Sequence, residues 1–262
     1  MAEAVLRTAE GRAKAALSLD CAAAWAAARA AGVPLEIGRA NPPDRPARPV
    51  RPELLDPRDV PRRRPGSEKG RIALLHAVAH IELNAVDLHW DIIARFTATP
   101  MPLGFYDDWA KAAGEEAKHF NLVCDTLEAM GSSYGALPAH AGMWRAAEDT
   151  AEDLMGRLAV VPMVLEARGL DVTPDMIAKL RHAGDLDTVA CLEVILEEEV
   201  RHVEIGSRWF AWACAARGLE PETTFLGLVE THARAIIRPP INDLARSRAG
   251  FTAQEIAWLR TC

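Results

Sequence analysis

Two short segments of this 262-residue chain place a glutamate and a histidine three positions apart: Glu115-Glu116-Ala-Lys-His119 and Glu198-Glu199-Val-Arg-His202. On an α-helix, residues three apart share a face, so each segment offers a carboxylate and an imidazole to one point in space. Two further glutamates complete the pattern. Glu82 precedes Glu116 by 34 residues, and Glu166 precedes Glu199 by 33. A helix break lies midway in each pair, at Thr99 just before Pro100 and beside Gly184. In an antiparallel helix pair, residues equidistant from the turn sit at equal height, so Glu82 is expected to face Glu116 and His119, and Glu166 to face Glu199 and His202. The arrangement recurs after 84 residues for Glu82 and Glu166, and after 83 for Glu116 and Glu199.

Two hairpins of this kind, related by a pseudo-twofold axis, would bring four carboxylates and two imidazoles together. Hard carboxylates bridge two cations and balance their charge, while neutral imidazoles suit iron and leave positions open for oxygen. The expected cofactors are therefore two Fe ions, with Mn as the alternative and O2 as the oxidant. Zinc, which favours a closed tetrahedral shell, fits less well. Glu115 and Glu198, each just before a ligand, are expected to orient the histidines, Glu115 with His202 and Glu198 with His119, because a ligating imidazole usually donates its second N–H to a carboxylate.

Other polar residues read as structural. Glu193, Glu197 and Glu204 belong to a charge run on a solvated face. His76 and His80 are four apart and close to Glu82, but core histidines with hydrogen bonds are favoured over a second metal site. His89 lies seven residues from Glu82, about 10 Å along a helix, too far to share its metal. Packing is the expected role of Trp109 and Trp209. Neither tyrosine, Tyr106 or Tyr134, has a spacing that suggests a stable radical near the ligands.

The elements that must position these groups are helices, since alanine and leucine dominate many segments and β-branched runs are hard to find. An alanine-rich stretch, Cys21 to Gly32, stops at Pro34. From Arg39 to Arg71, eight prolines (Pro42, Pro43, Pro46, Pro49, Pro52, Pro57, Pro61 and Pro65) forbid regular helix, and ten basic residues face five acidic ones. This segment is expected to be an extended arm. Long helices are expected over 72–96, 105–130, 144–168 and 186–217, with a further one over 222–237. Asp171-Val-Thr-Pro174 reads as a cap that opens a separate short helix ending near His182. Pro162, four residues before Glu166, is expected to kink the third long helix. The domain scheme is thus 1–70, N-terminal helix and arm; 71–238, the metal-binding bundle; and 239–262, a tail with a short helix near 252–259.

The net charge of −7 argues against a generic nucleic-acid binder. The locally basic arm is expected to wrap over an acidic body rather than to bind nucleic acid. The N-terminal residues lack the pattern of a secretory signal, and no apolar run approaches the roughly 20 residues of a membrane span. Five scattered cysteines without a CxxC read as reduced thiols of a cytoplasmic protein.

Glu-Glu-Val-Arg-His202 is similar to the Asp/Glu-Glu-x-Arg-His signature of ferritin-like di-iron oxygenases and ribonucleotide reductase small subunits. Over nearly the full chain the sequence resembles the DUF455 family, a ferritin-like group. The segments that carry this resemblance are Arg-Asp-Val-Pro-Arg62, His-Ala-Val-Ala-His-Ile-Glu-Leu83, Val-Val-Pro-Met-Val-Leu-Glu-Ala-Arg-Gly-Leu-Asp171, His-Val-Glu-Ile-Gly-Ser-Arg-Trp-Phe210 and Ala-Gly-Phe251. Glu198 departs from the common Asp by one methylene. The expected fold is all-α, a ferritin-like four-helix bundle with additional helices and an extended Pro/Arg-rich N-terminal arm. The expected activity is that of a di-iron oxidoreductase of the monooxygenase or hydroxylase type. Its substrate is an unidentified small molecule or nucleoside, by analogy with ferritin-like tRNA hydroxylases. An external electron donor is expected, because the chain has no dinucleotide fingerprint and no iron–sulfur cysteine set. Iron oxidation or storage, and a helical module with a structural metal, are the alternatives; a homodimer is compatible with each.

Overall fold

In the computed structural model, which describes residues 1–56, 58–61 and 66–262, the chain is mostly helical. Pro57, Arg62, Arg63, Arg64 and Pro65 of the arm lie outside the described residues. Two units divide the chain, Met1–Arg145 and Ala146–Cys262. Among the described residues, no helix is long and apolar enough to cross a membrane.

The first unit contains α1 (Ala2–Leu6), α2 (Gly11–Ala30), β1 (Leu54–Leu55), α3 (Glu68–Arg95), α4 (Leu103–Ala129) and β2 (Ala139–His140). Between α2 and α3 the described arm residues form no helix, as the prolines require. Only β1 is regular there, in parallel register with β2 (Leu54 opposite Ala139). Ser67 caps α3 by accepting the Gly70 N–H at 3.1 Å. Gly131, with φ +72°, ends the turn after α4 in a conformation that side-chain-bearing residues rarely adopt.

α3 is the central element of this unit. From Glu82 to Ile92 every residue is buried, so this stretch of α3 has no solvated face. Its polar residues must therefore find partners inside the protein. Asp87 receives the buried Lys14 ammonium of α2 and lies 3.5 Å from the Arg48 guanidinium of the arm. Lys14 also donates to the Ala47 carbonyl at 2.9 Å, and Arg48 donates to Asn84 at 2.7 Å. Asp91 takes Arg95, one turn on, at 2.7 Å. The Trp90 indole donates to Ser18, whose hydroxyl donates to the Ala113 carbonyl of α4. The arm and α2 thus neutralise a helix that would otherwise bury naked charge. The tight fit of α2 on α4 shows at Gly114, where an added Cβ would lie 3.0 Å from the Ala22 Cβ.

α5 (Gly142–Asp149) carries the chain into the second unit. There follow α6 (Leu154–Val160), a π-helical turn over Val161–Glu166, α7 (Ala167–His182), α8 (Leu186–Ala215), α9 (Pro221–His232), a 3-10 turn (Arg234–Ile236), α10 (Asp243–Arg248) and α11 (Ala253–Leu259). Two expectations need correction here. The helix expected over 144–168 is instead α5, α6 and the π turn. Asp171 and Pro174 do not open a new helix but lie inside α7. The physical reason lies at the other end of the chain. A proline at 174 leaves the Leu170 carbonyl without its helical donor, and Asn242 Nδ2 donates to that carbonyl at 3.1 Å. Asp171 is buried under a bidentate Arg246 guanidinium (2.9 and 2.7 Å) and also accepts the Asn242 N–H at 2.9 Å.

The Pro162 kink takes the form of the π turn. Adding a residue to the turn accommodates a ring that an α-helix would drive into the carbonyl four residues earlier. α8 makes room for the ring at Gly206, where a Cβ would lie 2.4 Å from the Pro162 Cβ.

Candidate metal centre

In the first unit, α3 supplies Glu82 and α4 supplies Glu116 and His119. All three are buried, with exposures of 5 %, 1 % and 0 %. His119 Nδ1 lies 3.3 Å from Glu82 Oε2 and 3.4 Å from Glu116 Oε2, and one ligand atom from each residue falls within 4.8 Å of the others. The turn-symmetric height read from the sequence is thus realised in this hairpin. Two donor atoms each about 2.1 Å from a shared ion and 3.3 Å apart would subtend about 105° there, an angle that a four- to six-coordinate ion accepts. The donor set of two carboxylates and one imidazole suits iron or manganese.

The electrostatics of the trio point the same way. Burial raises the Glu82 carboxyl well above its ordinary range, and the neighbouring Glu116 carboxylate raises it further, while His119 opposes both. Burial would lower the His119 imidazole, but hydrogen bonds and charge from Glu116 and Glu82 push it up to about 10. The two carboxylates thus favour the protonated His119 ring between them. A divalent cation bound by the ring nitrogen would displace that proton.

In the second unit, α8 supplies Glu199 and His202, whose Nδ1 lies 3.3 Å from Glu199 Oε2. His202 is fully buried, and Glu166, the last residue of the π turn, is 4 % exposed. One helical turn beyond Glu166, Gly169 lets α8 approach: a Cβ there would sit 3.7 Å from the Glu199 Cγ. The internal geometry of Glu199 and His202 repeats that of Glu116 and His119.

Matches to known sequences support a relationship across the whole molecule. The family described as "Protein of unknown function (DUF455)" matches residues 7–257. This chain belongs to the DUF455 family. An uncharacterized protein of Haemophilus influenzae is similar to this DUF455 chain, with 42 % identity over 216 residues, 80 % of this chain and 75 % of the relative. No solved structure matches it.

The remaining site expectations fall as follows. Glu115 lies 3.5 Å from Lys111, one turn earlier on α4. His76 and His80 are buried and hydrogen-bonded, as expected of core histidines. The His89 ring packs against Trp109 with centroids 5.1 Å apart. The supports around Glu166 were not visible in the sequence. Gly206 and Arg246 hold the π turn, Arg246 also reaching the Met163 carbonyl at 3.4 Å. Their only trace is a glycine inside an otherwise unbroken helical pattern and an arginine far down the chain.

Proposed function

We propose that this DUF455 protein is a di-iron oxidoreductase that uses O2 on a small organic substrate, built on a ferritin-like bundle. The observation that carries this reading is the buried Glu82–Glu116–His119 trio, whose carboxylate oxygens both lie within 3.4 Å of one imidazole nitrogen. The sequence repeats the same residue types in Glu166, Glu199 and His202, with a spacing of 33 residues between the glutamates in place of 34 and the same three-residue step to the histidine. Each set would hold one metal, with Glu115 and Glu198 orienting the imidazoles. Bound iron would supply the redox chemistry and the activation of oxygen.

The protein's own contribution follows from its residues. Glu82 and Glu116 offset the cation charge, and their burial keeps bulk water from competing for it. His119 must give up its proton to bind, and the carboxylates that held that proton become ligands. The π turn sets the direction of Glu166, because one extra residue rotates a helix face by about 100°. Electrons would come from a separate donor, since the sequence carries neither a dinucleotide fingerprint nor an iron–sulfur cysteine set.

The test is anaerobic loading with Fe(II), followed by metal analysis and the optical response to oxygen, with Glu116→Ala as the control. Two irons per chain, an oxygen-dependent absorbance change and loss of both in the variant are expected. Absence of iron binding, or binding unaffected by the substitution, would overturn the reading. Oxidation that proceeds without any organic substrate in a large multi-subunit shell would favour iron storage instead.

A further inference from the structure

A cavity of about 90 Å³ lies in the first unit, between α3 and the segment that carries β2. Val60, Ile81, Leu137 and Met143 form apolar walls, and the His76 and His80 side chains complete the lining. No Asp, Glu, Lys or Arg side chain lines it among the described residues.

The proton positions on the two rings follow from their partners. His80 Nε2 lies 3.0 Å from the His140 carbonyl, which can only accept, so Nε2 carries the proton. His80 Nδ1 then accepts the Tyr134 hydroxyl at 2.9 Å, and both nitrogens are used. His76 has the opposite tautomer. Its Nε2 accepts the Gly135 N–H at 2.9 Å and the Leu137 N–H at 3.4 Å, so its proton sits on Nδ1. That Nδ1–H has no acceptor among the described residues, although His76 is only 1 % exposed. An unused donor in a buried ring is costly unless something accepts from it. Both rings are neutral, burial holding each at about 4.

We propose that this cavity binds a small uncharged molecule, whose apolar body fills the space and whose one hydrogen-bond acceptor, a carbonyl oxygen, takes the His76 Nδ1–H. Charged ligands are disfavoured because, among the described residues, no Asp, Glu, Lys or Arg side chain lines the walls to offset them. The site is separate from the candidate metal centre. His76 and Glu82 are six residues apart, which places them about 9 Å apart along α3 and on different faces. The proposal therefore stands or falls independently of the metal.

The test uses the full chain and three probes of matched shape: butan-2-one, its hydrocarbon counterpart 2-methylbut-1-ene, and propanoate. The readout is the imidazole ¹H–¹⁵N correlation of His76. Expected are a saturable shift with butan-2-one, at least tenfold weaker binding of the hydrocarbon, and none of propanoate. Ala73→Phe, which fills the cavity, should abolish the shift while leaving the circular dichroism spectrum unchanged. Ala77→Leu, from the rim, replaces it if that variant does not fold. No saturable shift, equal affinity for ketone and hydrocarbon, or undiminished binding in a folded filled variant would mean that the cavity holds only water, and would overturn the proposal.

Discussion

Replacing Asp87 by alanine removes the carboxylate that faces Lys14, whose side chain is 1 % exposed and has no route to bulk water without opening the unit. Burial lowers the Lys14 ammonium and raises the Asp87 carboxyl, so desolvation opposes the charges on both partners even where they meet. Such a pair adds little net stability, but breaking it from one side leaves a buried charge, at a cost of about 3–5 kcal/mol. The Ala47 carbonyl, 2.9 Å from Lys14 Nζ, is a dipole and cannot replace the carboxylate. For a unit of this size the loss corresponds to a fall of roughly 6–20 °C in Tm. Lys14→Met should cost less, because Asp87 keeps Arg48 at 3.5 Å. The double variant Lys14→Met/Asp87→Leu should recover most of the stability lost in Asp87→Ala. Urea and thermal unfolding of the full chain, followed through the transition of residues 1–145, provide the measurement. A loss below about 1 kcal/mol for Asp87→Ala, or a double variant no better than it, would refute the reasoning.

Three further outcomes are expected. His76 and His80 are held at about 4 when folded and return to about 6.5 when unfolded, so the unfolded chain binds more protons between those values. Stability should therefore rise with pH through this window, by about 3 kcal/mol per histidine at most, and level off above pH 6.5; a His76 ring titrating near 6.5 by NMR would contradict this. Gly206→Ala should cost about 1–3 kcal/mol by urea unfolding, because its Cβ would collide with the Pro162 Cβ, and Pro162→Gly, which removes that atom, should relieve the collision in the same chain, so that the two losses are less than additive. Metal binding at Glu82, Glu116 and His119 should release protons and strengthen as pH rises towards about 10, since His119 is protonated in the metal-free trio; calorimetry in buffers of different ionisation enthalpy would detect a proton count of zero if this is wrong.

Where proline and glycine punctuate the chain, its helices could be read closely. The helix expected over 72–96 spans Glu68–Arg95, and that expected over 105–130 spans Leu103–Ala129. The Glu82–Glu116–His119 trio was legible for the same reason, because a single tight turn converts sequence distance into height. Around Glu166 the reading failed locally. Pro174 signals a helix start by its own chemistry, yet it is tolerated inside α7 because Asn242 satisfies the carbonyl that it strands. The π turn is equally hidden, since its stability depends on a missing side chain at Gly206 on another helix. Local pattern cannot report a hydrogen bond made by a residue 72 positions away.

That dependence gives the molecule an order of completion. The Leu170 carbonyl and the Asp171 carboxylate of α7 gain these partners only once Asn242 and Arg246 have been synthesised. On a ribosome, which makes the chain from its N-terminus, the segment bearing Glu166 emerges before the donors that complete it. A chain cut short before Asn242 would therefore leave the Leu170 carbonyl, one turn beyond Glu166, without the side-chain donor that it has in the whole protein.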